Sequence, residues 1–541
     1  MKRILTMTVA MVCLTTVGLA QETYENTKLI DKDLNGTARY VGMGGAMDAL
    51  GADISTIATN PAGIGLFRKS QATVSFGVLN QKDAGDFRYG NKTNMSFDQI
   101  GFVYAMKSGR KSFLNVAFNY HKSKNFDYIL TASDVFSGEN KASQNTLSFI
   151  KAIGDDPQGA LNVVKENNRL MGTNYYTSQL DNLYYNTFIF DNSGASGYNM
   201  SDGYMFGRSS SGYIGEYDMN ISGNINDRVY LGLTVGIHDV HYKGISEYTE
   251  NVLNFSNQSI GSLTVCDERR ITGTGFDIKG GVIFRPMEES PFRIGISVAT
   301  PTFYDLRTTN YTYLVNNTNI SGYNNNYVAS AAYDFKVYTP WTFGASIGHT
   351  IGDFLAIGAS YEYADYSRID TRVNDGGYFD EWWGDYYEES SSDLAMNQHT
   401  KRTLKGVSTF KLGIEEKPYP GVSLRLGYNY VSPMFKSSGY KDGSIDSYGS
   451  NYSSATDYTN WKATNRITAG VGYSHKNFTI DLACQYSATK GDFYPFMDSW
   501  GDYHYIDDNN QAQIDKIDNY SNAVKVTKKH SQLIMTLGYK F

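Results

Sequence analysis

Cysteine, proline and long apolar runs are all scarce in this chain. It has 3 Cys and 10 Pro in 541 residues, and only Cys266 and Cys484 lie beyond the first 20 residues. These two stand in unrelated contexts, a predicted loop and a predicted lipid-facing strand position, so no disulfide framework is implied. Beyond the N-terminus no stretch approaches the roughly 18 apolar residues of a transmembrane helix. A secreted globular protein and a β-barrel are both compatible with these absences.

Strong net charge and catalytic clusters are also lacking. The net charge of −7 argues against a nucleic-acid partner. The 8 His are scattered, and no metal-ligand spacing recurs. His238 and His241 are three apart on one predicted strand and should therefore face opposite sides of the sheet. We predict no catalytic residues, no cofactor and no metal, and hence no enzyme.

The first 20 residues have the pattern of an export signal. A basic start (residues 1–3) precedes an apolar run (residues 4–17), and the small residues Gly18 and Ala20 follow it. This order is typical of a Sec signal peptide. Cys13 lies within the apolar run and lacks a lipobox, which argues against a lipoprotein. We therefore predict that this leader is removed and that the mature chain is exported.

From residue 71 onward, apolar residues alternate with polar or small ones. The chain is also rich in Gly (53), Tyr (44) and Phe (28), with 14% aromatic residues, as is usual for outer-membrane barrels. The alternation predicts about 14 strands. They lie near residues 71–80, 96–107, 112–122, 212–224, 227–241, 271–285, 291–304, 329–350, 354–366, 405–417, 421–434, 463–475, 477–488 and 531–541.

The connections between these strands are of two kinds. Every second one is tight, and from the second onward the intervening ones are long: 123–211, 242–270, 305–328, 367–404, 435–462 and 489–530. Tight turns on one rim and long loops on the other are typical of a membrane barrel, whereas long loops are uncommon in a globular domain. We predict an all-β protein, a transmembrane antiparallel β-barrel of about 14 strands with an N-terminal plug and long extracellular loops.

Alternation also assigns the two faces of the barrel. The apolar face must meet lipid, because a closed barrel satisfies its own backbone hydrogen bonds. The other face lines the lumen and carries charges of both signs, which we expect to hold the plug and fill the interior. These residues are Asp277, Lys279, Arg285, Arg293, Glu362, Arg425, Arg466, Asp481 and Lys540.

Residues 21–70 do not alternate, and small residues dominate 36–66. Small side chains suit a plug inside a narrow space, so we predict a hatch at 21–70 and a barrel at 71–541. Three blocks carry a resemblance: Gly42-Met43-Gly44-Gly45, Ala52-Asp53-Ile54-Ser55 and Asn60-Pro61-Ala62-Gly63. Their order and spacing resemble the N-terminal hatch signature of FadL/TodX-type outer-membrane transporters of hydrophobic compounds.

The resemblance implies passive transport of hydrophobic molecules such as long-chain fatty acids through a hatch-gated barrel. Ligand would be captured by loop surfaces, pass to a pocket above the hatch and leave after the hatch moves. The hatch and gating residues would be Gly42, Gly44, Gly45, Asn60, Pro61 and Ala62. In the family, release is thought to run sideways beside a kink in the third strand. Here the third predicted strand, 112–122, contains neither Gly nor Pro to mark a kink.

Two loops have features of their own. Loop 123–211 contains two apolar helical patterns, 143–153 and a second that begins after Asp156-Pro157 and ends at Gly172. The resemblance implies ligand capture there, by Phe149, Ile153, Leu161 and Val164; equally, the helices could pack on each other or cap the barrel mouth. The acidic and aromatic stretch 378–389 is predicted to be a solvated loop, with cation or partner binding as its alternative.

The chain ends in Phe541, on an alternating strand that resembles the signal read by the outer-membrane assembly machinery. We therefore predict a monomer in the outer membrane of a Gram-negative cell, in contact with lipid, lipopolysaccharide and that machinery, and without a nucleic-acid partner. Two other functions stay open. The same barrel could serve as a binding protein or secretion shuttle, or it could take up haem.

Overall fold

The structure is a computed structural model that describes residues 21–136, 141–153, 163–166, 169–172, 177–187, 199–254, 257–319, 327–380, 382, 385–506 and 511–541. The predicted leader and Leu161 lie outside these residues.

Short helices make up the N-terminal segment, residues 21–70. They are α1 (Thr23–Ile30), α2 (Ala38–Gly42) and two 3-10 helices, Ile54–Ala58 and Pro61–Leu66. Side-chain oxygens cap them, as short polar residues commonly do. Thr37 Oγ1 accepts a hydrogen bond from Tyr40 N over 3.1 Å, and Asp53 Oδ1 accepts one from Ser55 N over 3.0 Å. Asp53 thereby caps the first of the two 3-10 helices.

The remaining chain is mostly strand. The strands are β1 (Gln71–Gln81), β2 (Thr93–Lys107), β3 (Phe113–Asn125), β4 (Tyr128–Val135), β5 (Val163–Glu166), β6 (Arg169–Gly172), β7 (Met200–Ile225), β8 (Val229–Leu253), β9 (Ser259–Phe284), β10 (Arg293–Ala299), β11 (Phe303–Asn316), β12 (Tyr327–Tyr338), β13 (Thr342–Ile351), β14 (Leu355–Asp365), β15 (Asp370–Asp380), β16 (Asp385–Ser392), β17 (Gly406–Tyr419), β18 (Val422–Val431), β19 (Tyr458–His475), β20 (Phe478–Tyr494), β21 (Ser499–Ile506), β22 (Ala512–Asn519) and β23 (Val524–Lys540).

Four α-helices and a 3-10 helix lie between the strands. They are α3 (Gln144–Ile153), α4 (Gln179–Thr187), α5 (Leu394–Thr403), α6 (Tyr448–Asn451) and the 3-10 helix Tyr366–Arg368. Among the residues that the structure describes, no helix is both long enough and apolar enough to cross a membrane.

Nineteen of the strand segments form one antiparallel sheet, and pairing of β1 with β23 closes it into a barrel. Five barrel strands consist of two segments each, namely β3 with β4, β10 with β11, β12 with β13, β14 with β15 and β16 with β17. The barrel therefore has 14 strands, and the predicted fold is confirmed. Tight turns gather at one end, called the turn end here, and the long connections at the other, called the loop end.

The outer surface of the barrel is an apolar band. On β8 the side chains of Leu231, Leu233 and Ile237 are exposed, whereas those of Thr234 and His238 on the other face are fully buried in the lumen. The last strand repeats the pattern with exposed aliphatic and aromatic residues from Leu533 to Phe541. A surface of this kind is stable only against lipid, because such an area exposed to water would cost on the order of 25 cal/mol per Å².

Several strands run further than predicted. β7, β8 and β9 extend well past the predicted limits at 212, 241 and 271, so most of the predicted loop 242–270 is paired strand. Cys266 lies on β9 and is buried, not in a loop; it and the exposed Cys484 are both free thiols. The predicted strands stop where outward aliphatic residues stop. The hydrogen-bonded ladder continues beyond that point because it does not require a lipid-facing side chain.

Two loop predictions are wrong. The second helix predicted before Gly172 is instead the hairpin of β5 and β6, and α4 supplies the second helix further along the chain. Val163 and Val164 are β-branched, which favours a strand in so short a segment. Within the acidic and aromatic stretch 378–389, residues 378–380 likewise pair with residues 385–387 as the two strands of a hairpin, with Tyr378 opposite Tyr387.

Candidate functional site in the barrel lumen

The N-terminal segment contacts inward-facing backbone of the barrel, and glycines allow the contact. Gly44 has a φ of +63°, and a Cβ there would lie 2.8 Å from the backbone nitrogen of Tyr428 on β18. Gly42 faces Gly470 on β19, where a Cβ would come within 3.4 Å of its Cα. Gly45 also has a positive φ of +78°. Gly42 and Gly44 are therefore positions at which the backbone of the segment closely approaches the backbone of the wall, whereas a Cβ on Gly45 would meet the side chains of Leu34 and Tyr40.

Asn60, Pro61 and Ala62 lie against the opposite wall. The Asn60 side chain is buried and its Oδ1 accepts a hydrogen bond from Ala62 N over 3.2 Å, so it caps the helix that Pro61 begins. Ser222 Oγ on β7 donates to the carbonyl oxygen of Pro61 over 2.9 Å. A Cβ on Gly281 of β9 would lie 2.1 Å from Asn60 Oδ1. The three residues fit a notch in the wall, and a gating role for them stays a prediction.

Charged side chains fix the segment to the wall. Arg39 donates from Nε and Nη2 to both carboxylate oxygens of Glu415, each over 3.0 Å. Arg425 donates to the same carboxylate and to Asp481, each over 2.6 Å. Burial alone would lower the pKa of Arg39, but the Glu415 carboxylate beside it raises that pKa above its usual value. The bidentate geometry is the strong form of such a pair.

Other predicted lumen charges also reach the N-terminal segment. Arg293 donates to the carbonyl oxygen of Leu50 over 3.1 Å, and Arg466 lies 3.8 Å from the carboxylate of Asp33. Glu362 acts through Lys411, whose ammonium lies 3.3 Å from it and 3.7 Å from Asp48. Charged side chains of the lumen therefore contact the N-terminal segment at several levels along the barrel axis, as the anchoring role predicted for them requires.

Residues 31–35, which follow α1, form a strap along the third barrel strand. Asp33 N donates to the carbonyl oxygen of Ser123, and Asn125 N donates to Asp33 Oδ2, both over 2.9 Å. Asn35 Nδ2 donates to the carbonyl oxygen of Lys122 over 3.0 Å. The strap thus forms hydrogen bonds with backbone groups at the edge of the third strand, which would otherwise pair with a neighbouring strand.

The third barrel strand does bend, although its sequence holds no Gly or Pro to mark it. The register of β3 on β7 shifts between Lys122 and Lys124, which places a bulge at Ser123. The strand resumes as β4, and Tyr128 at its start donates a hydrogen bond to the carbonyl oxygen of Thr527 on β23 over 2.9 Å. A bulge adds a residue and redirects a strand without any special residue type, so no residue in the sequence marks this bend.

A gap between β2 and β3 accompanies the bend. The two strands pair from Lys107 with Phe113 to Gln99 with His121. Toward the loop end, the described residues of β2 continue to pair with β1 but not with β3. Side chains bridge the first step of the gap: Lys122 Nζ donates to Ser96 Oγ over 2.7 Å. Asn35 of the strap also reaches across, to Asp98 on β2 over 3.1 Å.

A cavity of about 350 Å³ lies beside this gap, bounded by α1, the strap and the barrel wall. Its walls combine aromatic rings with charged groups. The rings are those of Tyr24, Phe126, Tyr128, Tyr304, Tyr366, Phe435 and Trp461, and the basic groups on one side are Lys124, Arg466, Lys528 and His530. Such a lining suits a ligand with an apolar body and a polar end.

The strap carboxylate Asp33 is held ionised by that basic side. Burial alone would raise the pKa of Asp33, but Lys124, Lys528 and Arg466 lower it to about 2. Lys124 also forms an ion pair with Asp31 at the beginning of the strap. The electrostatic attraction therefore draws the strap toward the bent strand and the cavity.

The long connection between β4 and β7 forms a cap at the loop end. Phe149 and Ile153 of α3 are fully buried, in a cluster with Leu183 of α4 and Leu314 of β11. Lys151 forms an ion pair with Asp181, which also accepts a hydrogen bond from Ser148 over 2.7 Å. Phe149 and Ile153 thus face the inside of the cap, and a capture role for them requires the cap to open.

Glu250 is a buried acid that lies three residues from the loop end of β8 and forms hydrogen bonds with the cap. Its carboxylate accepts hydrogen bonds from Gln144 N over 3.0 Å, from Tyr248 over 2.9 Å and from Tyr184 over 3.4 Å. Burial raises the pKa of Glu250 to about 7 despite these donors. The carboxyl therefore changes charge near neutral pH at the contact between the cap and the barrel.

Other predicted site residues are spread over the molecule. Val164 lies on β5, and Phe541 is exposed at the turn end, where its amide donates to the carbonyl oxygen of Ser70 over 3.0 Å. Its role in assembly stays a prediction. Sequence reasoning missed the strap and a buried group of His121, Glu216 and His238 on three adjacent strands. The only signal in the sequence was that each of these three residues is at an inward-facing strand position, because they are far apart along the chain.

Comparison with known proteins gives matches among solved structures alone. No protein-family model matches the sequence, and no curated protein does. The Ralstonia pickettii toluene transporter TbuX matches at 12% identity and a TM-score of 0.46, over 94% of this chain and 99% of its own. The P. putida toluene transporter TodX and a Pseudomonas aeruginosa FadL homologue match at 10% identity, with the same coverage and TM-score. At this identity and TM-score the likeness carries no argument about the family, the function or the ligand of this chain.

Proposed function

We propose that this barrel is a passive outer-membrane channel for hydrophobic molecules with a polar end, such as long-chain fatty acids. The N-terminal segment is the hatch in this proposal, and the ligand leaves sideways through the gap between β2 and β3. The apolar outer band and the sorting of turns and loops support a place in an outer membrane.

One observation carries the proposal: the cavity and the gap lie side by side. Tyr128 lines the cavity and stands at the beginning of β4, where the third strand has left β2. A molecule in the cavity would have to pass only the side chains that bridge the gap, chiefly Asn35 and Lys122. An apolar molecule gains by leaving directly into lipid, because an exit through the turn end would bring it into water.

The lining of the cavity supports the choice of ligand. Aromatic rings can contact an alkyl chain, and the basic groups near Asp33 can hold a carboxylate. A ligand carboxylate would compete with Asp33 for Lys124, Lys528 and Arg466, which hold the strap carboxylate in its ionised form. Ligand binding and attachment of the strap are therefore opposed, so arrival of the ligand releases the strap and provides a way to open the hatch.

A reversible cross-link across the gap tests the exit. In a background of Cys266→Ser and Cys484→Ser, we would introduce Asp98→Cys and Lys122→Cys, which continue the register of Gln99 with His121. Oxidation should stop uptake of labelled oleate by cells that depend on this protein, and reduction should restore it. Normal uptake by the fully oxidised protein would overturn the lateral route.

A matched cross-link provides the control. Phe102→Cys with Phe118→Cys joins the same two strands where they are already paired, so oxidation there should leave uptake unchanged. A survey of secreted proteins in the deletion strain tests the alternative function, that of a secretion shuttle. Loss of particular exported proteins, with normal oleate uptake, would favour a secretion shuttle over a transporter.

A further inference from the structure

A row of ionisable side chains crosses three adjacent strands on the lumen wall. Glu216 on β7 pairs with His121 on β3 on one side and with His238 on β8 on the other. All three are buried, and Glu216 and His238 are fully so. Cross-strand neighbours on one face bring their side chains together, so the two imidazoles both approach a single carboxylate.

The tautomer of His238 is set by its outer neighbour. His238 Nε2 lies 2.9 Å from Asp277 Oδ2, which also accepts a hydrogen bond from Thr302 Oγ1 over 3.0 Å. The carboxylate has no proton to donate, so Nε2 carries the proton and Nδ1 presents a lone pair. A carboxylate behind an imidazole is the arrangement that orients histidine ligands in metalloproteins.

The lone pair of His238 Nδ1 faces Glu216 Oε2 at 3.6 Å, and His121 Nε2 lies 3.8 Å from the same oxygen. Within the described part of the chain, neither Glu216 Oε2 nor His238 Nδ1 has a hydrogen-bond partner. Two buried acceptors that face each other are repulsive unless a cation lies between them. Zn²⁺ with bonds of about 2.0–2.1 Å to N and O places neighbouring ligand atoms about 3.3 Å apart, so a small contraction of the pair His238 Nδ1 and Glu216 Oε2 would suffice.

The charge of the surroundings also calls for a cation. Glu216, Asp218 and Asp277 all lie around one ammonium group, that of Lys279. Lys32 of the strap comes within 3.7 Å of Glu216 Oε2, but its side chain is half-exposed and can withdraw. Three buried carboxylates against one buried ammonium leave an excess of negative charge, which a divalent ion would neutralise.

We propose that Glu216 Oε2 and His238 Nδ1 bind a divalent transition metal such as Zn²⁺, and that His121, whose Nε2 lies 3.8 Å from Glu216 Oε2, moves toward the ion to become the third ligand. Imidazole and carboxylate together suit these ions. Asp277 holds His238 in place from behind. His121 and Glu216 border the cavity, so the ion enters from the lumen and keeps one coordination position open to it. The ion joins β3 to β7 and β8 at the last residue of β3 that still pairs with β2.

The test uses the full barrel, purified without a His-tag and stripped with chelator. Titration with Co²⁺ should give visible d–d absorption with one equivalent bound, and Zn²⁺ should displace it. His238→Asn and Glu216→Gln should each abolish this signal. Asp277→Asn should weaken binding roughly 10- to 100-fold, because it removes only the outer partner. Heat-modifiable migration checks that each variant is folded.

A second pair on the same strand provides the control. His241 Nε2 and Asp239 Oδ2 lie 2.9 Å apart, but both side chains are exposed on the other face, so His241→Asn should bind Co²⁺ as the unchanged protein does. Should Glu216→Gln fail to fold, His238→Asn and His121→Asn decide the question alone. The proposal is overturned if folded His238→Asn binds Co²⁺ with unchanged affinity, or if the unchanged protein binds none.

Discussion

The amide nitrogen of Asp33 donates a hydrogen bond to the carbonyl oxygen of Ser123 over 2.9 Å. Ser123 is the extra residue of the bulge at which the third barrel strand bends. The strap therefore occupies the backbone edge that the bend leaves unpaired. Movement of the N-terminal segment and exposure of that edge are then linked, because neither can occur without breaking the same hydrogen bonds.

This link can be weakened at Asp33. Asp33→Ala removes the acceptor of the Asn125 amide and the carboxylate that faces Lys124. Hydrogen bonds to charged groups contribute about 1.5–3 kcal/mol each, so we expect a looser strap and a clear rise in the conductance of single channels in planar bilayers. Asp86→Ala, an acid on an exposed loop, should leave the conductance unchanged. Equal conductance of both variants would mean that the strap does not close the lumen.

A second prediction concerns the contact between the N-terminal segment and the wall. Gly44→Ala would place a Cβ 2.8 Å from backbone on β18, at a positive φ. We expect a loss of at least about 1–2 kcal/mol from the backbone conformation alone, seen as a lower midpoint of heat-modifiable migration. Gly280→Ala provides the control, since its nearest neighbour would be 3.8 Å away and its φ is ordinary. A Gly44→Ala protein as stable as the control would show that the two backbones can move apart to admit the added methyl group without loss of stability.

Much of the barrel could be predicted, because period-two alternation records which face of each strand meets lipid. His238 facing the lumen and His241 facing outward followed from that rule alone, as did the exposed and buried residues of the last strand. The bend at Ser123 could not be predicted, since a bulge depends on register with β7 and not on residue type. Nor could the group around Glu216, because its members become neighbours only when three strands pair.

The buried acid Glu250 makes the cap sensitive to pH. Its pKa rises from an ordinary value of 4.5 to about 7 on burial. The neutral carboxyl is thus the favoured form in the docked cap. Its contribution to the stability of docking is fully present below pH 4.5 and is lost as the pH rises through 7. A difference of this size corresponds to about 3 kcal/mol.

We therefore expect the ratio of two protease cleavage rates, that of the cap in the unchanged protein to that in Glu250→Gln, to be higher at pH 8 than at pH 5.5. Glu250→Gln keeps a neutral side chain of the same shape, so docking of its cap should not respond to this change of pH. Glu288→Gln, an exposed acid at the turn end, should behave as the unchanged protein does. If the unchanged protein and Glu250→Gln are cut alike at both values of pH, Glu250 does not control docking.

The last prediction returns to Asn60-Pro61-Ala62, which the resemblance marks as the gating turn. Pro61 fixes its own φ and keeps Asn60 out of the helical region, so Asn60 can cap the helix that follows. The double variant Asn60→Ala with Pro61→Ala removes both constraints. We expect a folded, heat-modifiable barrel with slower oleate uptake, because a turn that can adopt many conformations no longer switches as a unit.

Ser222→Ala separates gating from simple anchoring. It removes the hydrogen bond from the wall to the Pro61 carbonyl oxygen but leaves the turn itself intact. Slow uptake in the double variant with normal uptake in Ser222→Ala would assign the effect to the turn. Equally slow uptake in both would assign it to contact with β7. A double variant that transports normally, or that fails to assemble, would end the gating assignment, because the turn would then be a structural helix cap alone.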